Sequence, residues 1–246
     1  MGTSAKKTVT PISVFLKKYL PFIGIVIVCL VFSFQFWGKG KIPFPTTYLV
    51  SAFPPWAGTV GIPVKNAAMP DIISQIYPWK LFTVDSWKHG FIPLWNPLSF
   101  AGTPHAGNYQ SAVFAPQNIL FFLFSFPTAW SIQILLQPLV AGIFMLLLLR
   151  ALKVPKTASL FGALSWMFCG FLTCWMGYGT LGWAALVLPL VLWGIIGWME
   201  RSSIFAWVSI VAGICWSLVS GHFQISLYGI IASVCFTFLF GFGRKK

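Results

Sequence analysis

Side chains able to do acid, base or ligand chemistry are scarce in this chain: three carboxylates, Asp71, Asp85 and Glu200, and three histidines, His89, His105 and His222. Any general base or metal ligand must be drawn from a very short list. Glu200 stands beside Arg201 and reads as an interfacial charge with its counter-ion adjacent. Asp71 precedes Gln75 by four residues, so on a helix the two polar groups fall one turn apart on one face. A carboxylate placed there can take a proton from a substrate hydroxyl. Following Pro70 and leading an apolar stretch, it is equally suited to N-cap a helix, and the two roles are compatible. His105 and His222 are each alone in their segments, as hydrogen-bonding groups or as catalysts, and His89 reads as a helix-end residue. Cys29, Cys169, Cys174, Cys215 and Cys235 all lie in apolar segments, with no CxxC or Cys/His pair at ligand spacing, so neither a disulfide framework nor a metal centre is expected. A divalent ion held by Asp71 with Asp85 or a histidine is open by residue type, but no spacing argues for it.

The elements that position these groups are membrane helices. Of 246 residues, 58% are apolar and only 8% charged, where soluble domains carry about 25% charged residues. Mean hydropathy is +0.84. A soluble domain, a disordered chain and a nucleic-acid binder are excluded. The expected fold is an all-α membrane protein, one polytopic domain over residues 1–246 with about six transmembrane helices: 19–37, 128–149, 158–175, 181–199, 204–220 and 225–242. A cytoplasmic tail over 1–18, a long extracytoplasmic loop over 38–114, the remaining helices over 115–243 and a cytoplasmic end at 244–246 complete the layout. This places both termini in the cytoplasm and gathers Lys6, Lys7, Lys17, Lys18, Arg150, Lys153, Lys156, Arg201, Arg244, Lys245 and Lys246 there, as the positive-inside rule requires of a plasma-membrane protein. Topology thus accounts for most of the net charge of +13. Residues 113–126, apolar but short and broken by Pro116 and Pro127, read as an interfacial or re-entrant helix.

Within the loop, residues 71–89 read as an interfacial amphipathic helix, with Ile72, Ile73, Ile76, Trp79, Phe82 and Trp87 as a membrane-facing stripe and Lys80, Asp85 and Lys88 in water. Pro78 is expected to kink it and Gly90 to end it. Residues 90–118, dense in proline and glycine among Trp95, Asn96, His105, Asn108, Tyr109 and Gln110, read as a shaped surface. Asp71, Gln75, His105, Gln110, Tyr178, His222 and Gln224 all fall at the outer face, as an extracytoplasmic site would need.

The loop strings Asp71-Ile-Ile-Ser-Gln75-Ile-Tyr77-Pro78-Trp79, Gly90-Phe-Ile-Pro93-Leu94-Trp95-Asn96-Pro97, Gly102-Thr-Pro104 and Gln110-Ser111, with Pro116, Asn118 and the turn Gly221-His222-Phe223-Gln224, resemble the bacterial YfhO-like membrane proteins. These belong to the wider group of C-type (GT-C) polytopic glycosyltransferases. The likeness runs from about Asp71 onward; the family often has Pro where this chain has Phe223, and its members usually carry more helices. The resemblance implies transfer of a sugar from a polyprenyl-phosphate donor to a cell-envelope glycan or polymer acceptor on the outer face of the plasma membrane. It implies Asp71 as the base or acceptor-orienting group, with Gln75, Trp95, Asn96, His105, Gln110, His222 and Gln224 as substrate-binding residues and no firm cofactor. Lysines such as Lys65, Lys80 or Lys88, or the two outer histidines His105 and His222, are left to meet the donor phosphate. A partner chain completing the fold is an open alternative. So is a non-catalytic polytopic protein, a scaffold or transport-associated subunit, although the sequence shows no repeats or interrupted helices, and mid-span Gln133 and Gln137 read as makers of interhelical hydrogen bonds.

Overall fold

The computed structural model describes residues 11–52, 54–56 and 69–243. Lys6, Lys7, Lys65, Arg244, Lys245 and Lys246 lie outside the described residues. The chain is mostly helical. Helix α1 (Pro11–Phe32), the single turn α2 (Phe34–Trp37) and α3 (Thr46–Ala52) lead into a π-helical stretch, Ile72–Ile76, that runs directly into α4 (Tyr77–Lys88). A two-stranded antiparallel ladder follows, β1 (Trp95–Asn96) with β2 (Thr103–Pro104), and after two short 3-10 turns come α5 (Leu120–Leu123) and α6 (Phe126–Ala151). The remainder is α7 (Lys156–Met167), α8 (Gly170–Trp175), α9 (Leu181–Leu186), α10 (Leu188–Arg201), α11 (Ile204–Val219) and α12 (Phe223–Gly243).

Among the described residues, four helical stretches are long and apolar enough to cross a membrane: Phe126–Ala151, Lys156–Tyr178, Leu181–Arg201 and Phe223–Gly243. At about 1.5 Å per residue, even the 21-residue stretches reach the ~30 Å of a hydrocarbon core. Tyr19–Phe32 and Ile204–Val219 are apolar but shorter. Helix direction alternates. One end of the bundle carries the long connection, where Trp130 Nε1 donates to the Pro43 carbonyl and Gly177 lies against Ile72. At the other end Tyr19 lines a cavity with Arg150 and Lys156.

Two of the long stretches are not continuous ladders. α7 stops at Met167 and α8 restarts at Gly170; α9 stops at Leu186, and Pro189, which has no amide to donate, sits in the first turn of α10. The expectation of uninterrupted helices is therefore corrected. Broken backbone at such depth is tolerated where it is buried in protein, and Val187 is 1% exposed.

The loop forms a layer across one end of the bundle. Ile72, Ile76, Val84, Phe121, Trp130, Ile134, Met176 and Tyr178 make one apolar core there, beneath which Ile25, Ala141, Ala163, Met167, Trp183 and Leu186 fill a second between the helices. This corrects the amphipathic reading of 71–89. Ile72, Ile76, Lys80, Thr83 and Val84 share the buried face of the π–α4 segment, which packs on protein. Ile73, Trp79, Phe82 and Trp87 are half-buried, Asp85 and Lys88 are exposed as expected, and Lys80 is not. Pro78 lies in the first turn of α4, just after the wider π ladder. Gly90, at φ +80°, follows the helix end. All five cysteines are free.

Candidate functional site

The helix that carries Asp71 begins one residue earlier, at Pro70. Asp71 takes helical angles, φ −62° and ψ −28°, and its carboxylate makes no capping hydrogen bond, so the N-cap reading does not hold. The carboxylate is exposed, accepts a hydrogen bond from Gln75 Nε2 at 3.2 Å and lies within electrostatic reach of Tyr178. The π-helical stretch that follows packs on the 176–178 turn, with Gly177 against Ile72. π-helical turns occur frequently at functional sites.

Other expected site residues are brought near this turn from its opposite side. Gly221, at φ +97°, packs against Thr180 and Ala112, where a Cβ would stand 3.2 Å and 3.0 Å from their side chains. This seats the 220–222 turn on the 108–112 loop, and the Tyr109 hydroxyl donates to the Leu218 carbonyl while its ring meets Phe223 edge-on. Burial pushes the Tyr109 phenol up and the His222 imidazole down, which keeps His222 neutral near pH 7. Gln110 and Gln224 are exposed, and Gln224 Nε2 donates to the Tyr228 hydroxyl at 2.6 Å.

His105 and Asn96 belong elsewhere. His105 is 1% exposed; its Nε2 pairs with Thr83 Oγ1 at 2.8 Å, and its ring meets Phe82 edge-on at 4.8 Å. Burial holds its pKa low, the nearby Lys80 adds to this, and a backbone hydrogen bond with Trp79 opposes it. Asn96 is buried and closes an Asx-type turn: its Oδ1 accepts from the Leu98 amide at 2.9 Å and its Nδ2 donates to Ser99 at 3.3 Å. Trp95 is more than half exposed and lies over Gly102. The expected single polar cluster therefore divides into Asp71–Gln75–Tyr178, the 109–112 and 220–224 surface, and a buried layer around His105.

Lys80 is the largest correction among the phosphate-binding candidates. Its Nζ is buried against Asn118 Oδ1 at 2.5 Å, and desolvation lowers its pKa from 10.5 to about 7, so it cannot meet a substrate. Lys88 is exposed at the far end of α4. Sequence reasoning missed Lys41. It lines a cavity of about 700 Å³ at the loop end, together with Phe44, Thr46, Tyr77, Phe126 and Trp130. The aromatic walls are interlocked, with Phe44–Tyr77 centroids 5.1 Å apart and Tyr77–Phe126 centroids 5.2 Å apart. A Lys-Ile-Pro-Phe-Pro string just past an apolar helix was the available signal.

Gln137 Nε2 donates to the Met176 carbonyl at 2.9 Å, the interhelical bond its position suggests, whereas neither amide atom of Gln133 has a partner among the described residues. Among those residues no group of three His, Cys, Asp or Glu gathers at metal-binding distance. No family model matches the chain, and no curated protein or solved structure matches it.

Proposed function

We propose that the protein is a membrane glycosyltransferase of six spans that moves a sugar from a polyprenyl-phosphate donor to a cell-envelope acceptor on the outer face of the plasma membrane, with both termini cytoplasmic. The observation that carries this reading is the exposed Asp71 carboxylate, fixed by Gln75 at the rim of the bundle. The absence of Lys and Arg from the 176–180 and 220–222 turns, against Arg150, Lys153, Lys156 and Arg201 at the opposite end, supports an outward loop end.

In this reading Asp71 accepts the proton of the acceptor hydroxyl as that oxygen bonds to the anomeric carbon and the bond to the phosphate oxygen breaks, leaving polyprenyl phosphate and an inverted product. Lys41 offers the departing phosphate a point charge at the mouth of an aromatic cavity. Exposed Phe91, Leu94, Leu98 and Phe100 give the loop an apolar rim suited to the bilayer interface.

The test is transfer from a radiolabelled polyprenyl-phosphate sugar in membranes. Asp71→Asn is expected to lose roughly 10²–10⁴-fold in rate, the usual contribution of a general base. Equal transfer by variant and wild type removes Asp71 from the mechanism; no transfer by wild type favours the scaffold reading.

A further inference from the structure

At the end of the bundle away from the long connection, α1, α6 and α7 part around a cleft of about 410 Å³ lined by Tyr19, Pro21, Phe22, Leu146, Arg150 and Lys156. The three helices are tight just beyond it. Gly142 of α6 lies against Met167 of α7 and Ile25 of α1, both wholly buried, and a Cβ on Gly24 of α1 would stand 3.2 Å from the Leu160 side chain of α7. From that seam toward the helix ends the cleft opens.

Its two cations come from different helices. Arg150 Nη1 donates to the Val154 carbonyl at 2.9 Å, and Ser159 Oγ donates to the same oxygen at 3.1 Å, so the turn after α6 anchors the guanidinium at the cleft. That contact takes one of the five N–H groups a guanidinium carries. Lys156, the first residue of α7, adds the second positive charge, and no carboxylate lines the cleft. Like charges gathered in a concave site with apolar walls concentrate anions there.

Charged and apolar residues are layered by depth. Leu146 precedes Arg150 by one turn on α6, and Phe22 follows Tyr19 by three residues on α1, both toward the middle of the bundle. At about 1.5 Å per residue, the apolar floor lies roughly 4–6 Å deeper than the charged rim. A small inorganic anion meets the rim alone, whereas an amphiphile carrying a phosphate and hydrocarbon chains meets rim and floor together. Arginine matches phosphate oxygens with a fork of N–H groups and lysine adds a point charge. Basic pockets between membrane helices take lipid head groups through this chemistry.

We propose that this cleft holds the phosphate head group of an anionic phospholipid, with the first part of its acyl chains on Pro21, Phe22 and Leu146. The inference needs only that α6 and α7 cross a bilayer; it stands apart from the transferase reading and places the lipid in the leaflet opposite the loop layer. Inorganic phosphate shares the head-group chemistry and is the competing source.

Native mass spectrometry of the purified full chain in a non-ionic detergent, with phosphatidylglycerol or with phosphatidylcholine of the same acyl chains, reads the occupancy. The first phosphatidylglycerol is expected to bind more tightly than phosphatidylcholine. Arg150→Gln and Lys156→Gln are each expected to weaken it at least about fivefold, the worth of one basic side chain at an anionic lipid surface. Leu146→Trp, which fills the floor and keeps both cations, is expected to weaken it as well. Arg201→Gln, which removes a charge from the same end of the bundle but outside the lining, is expected to bind as wild type does. Because Arg150 also braces the Val154 carbonyl, the unfolding midpoint of each variant is followed alongside, and Lys156→Gln and Leu146→Trp decide the matter if Arg150→Gln does not fold. Equal binding of the two lipids by wild type overturns the proposal, as does undiminished phosphatidylglycerol binding in any folded cleft variant. An equal loss in Arg201→Gln marks diffuse surface charge and overturns it too. Displacement of phosphatidylglycerol by excess inorganic phosphate assigns the cleft to a soluble anion and removes the lipid.

Discussion

Lys80 Nζ and Asn118 Oδ1 meet at 2.5 Å in the interior of the loop layer, 38 residues apart in sequence, with no carboxylate beside them. Asp71 is engaged by Gln75, Asp85 lies beside His89 on the exposed side of α4, and Glu200 is exposed at the other end of α10. The titratable group facing Lys80 is His105, across from Thr83; the π stretch and α5 present none. Asn118 donates in turn to the Ala112 and Val113 carbonyls at 2.8 and 2.9 Å, so the amine is tied to the chain segment that supports the Gly221 turn.

A pH dependence of stability follows. The folded-state pKa of Lys80 is about 7 against 10.5 unfolded, so between those values the unfolded chain holds a proton that the folded chain does not. Stability contributed by this site therefore rises with pH across that window, by about 1.4 kcal/mol per pH unit, and is flat on either side. Lys80→Met is expected to abolish this slope. The check is the unfolding midpoint in detergent across the window; a slope of equal size in the variant would assign it to another group.

The division between what was legible and what was not follows from the range of the forces involved. Apolar runs of membrane length are local, so the stretches beginning near Phe126, Lys156, Leu181 and Phe223 were readable directly. Lys80 shares i, i+4 spacing with Ile72, Ile76 and Val84, yet its charge places it in water when the sequence is read alone, with the membrane as the partner of the apolar stripe; the structure buries both Lys80 and the stripe because the 103–121 segment folds over α4 and supplies Asn118 and His105 as polar neighbours. The break at Phe168–Cys169 has no proline to announce it, and the two-residue ladder at Trp95 and Thr103 is too short for an alternating pattern. Asp71 and Gln75 were paired from spacing alone, and the structure keeps the pair, whereas the fate of His105 depended on Thr83 arriving from 22 residues away.

Thr83→Val should cost about 1–3 kcal/mol, because it removes the hydroxyl at 2.8 Å from His105 Nε2 and leaves a buried ring nitrogen unpaired. Thr83→Ser, which keeps the hydroxyl, should recover most of the loss. Denaturant or thermal unfolding of the two variants side by side distinguishes the hydrogen bond from mere packing.

Gly194 holds α10 against α11 at backbone distance: a Cβ there would stand 2.8 Å from the Ala206 carbonyl oxygen and 3.2 Å from the Ile210 amide nitrogen. Backbone atoms cannot swing aside as a side-chain end can. Gly194→Ala is expected to force the two helices apart and lower stability by about 1–3 kcal/mol, the usual cost of overpacking, whereas Gly229→Ala on α12, with open space at its Cβ position, should be tolerated. Proteolysis of the α10–α11 hairpin in detergent reads the difference.

Lys41 and Asp71 should separate kinetically in the proposed transferase. Lys41 lines the aromatic cavity and would hold a phosphate that is charged in the bound donor as well as in the leaving group, so its interaction is made largely before the chemical step. An interaction equally strong in ground and transition states appears in KM, while one made only as the proton moves appears in kcat. Lys41→Gln is therefore expected to raise KM for the lipid-linked donor about tenfold with kcat little changed, and lowering salt, which strengthens the Lys41–phosphate attraction, is expected to lower donor KM more in wild type than in the variant. Asp71→Asn should do the reverse, lowering kcat while donor KM holds. Initial rates over a donor series for both variants give the comparison; a kcat loss of equal size in Lys41→Gln would instead place Lys41 in the chemical step, stabilising charge that develops only as the phosphate departs.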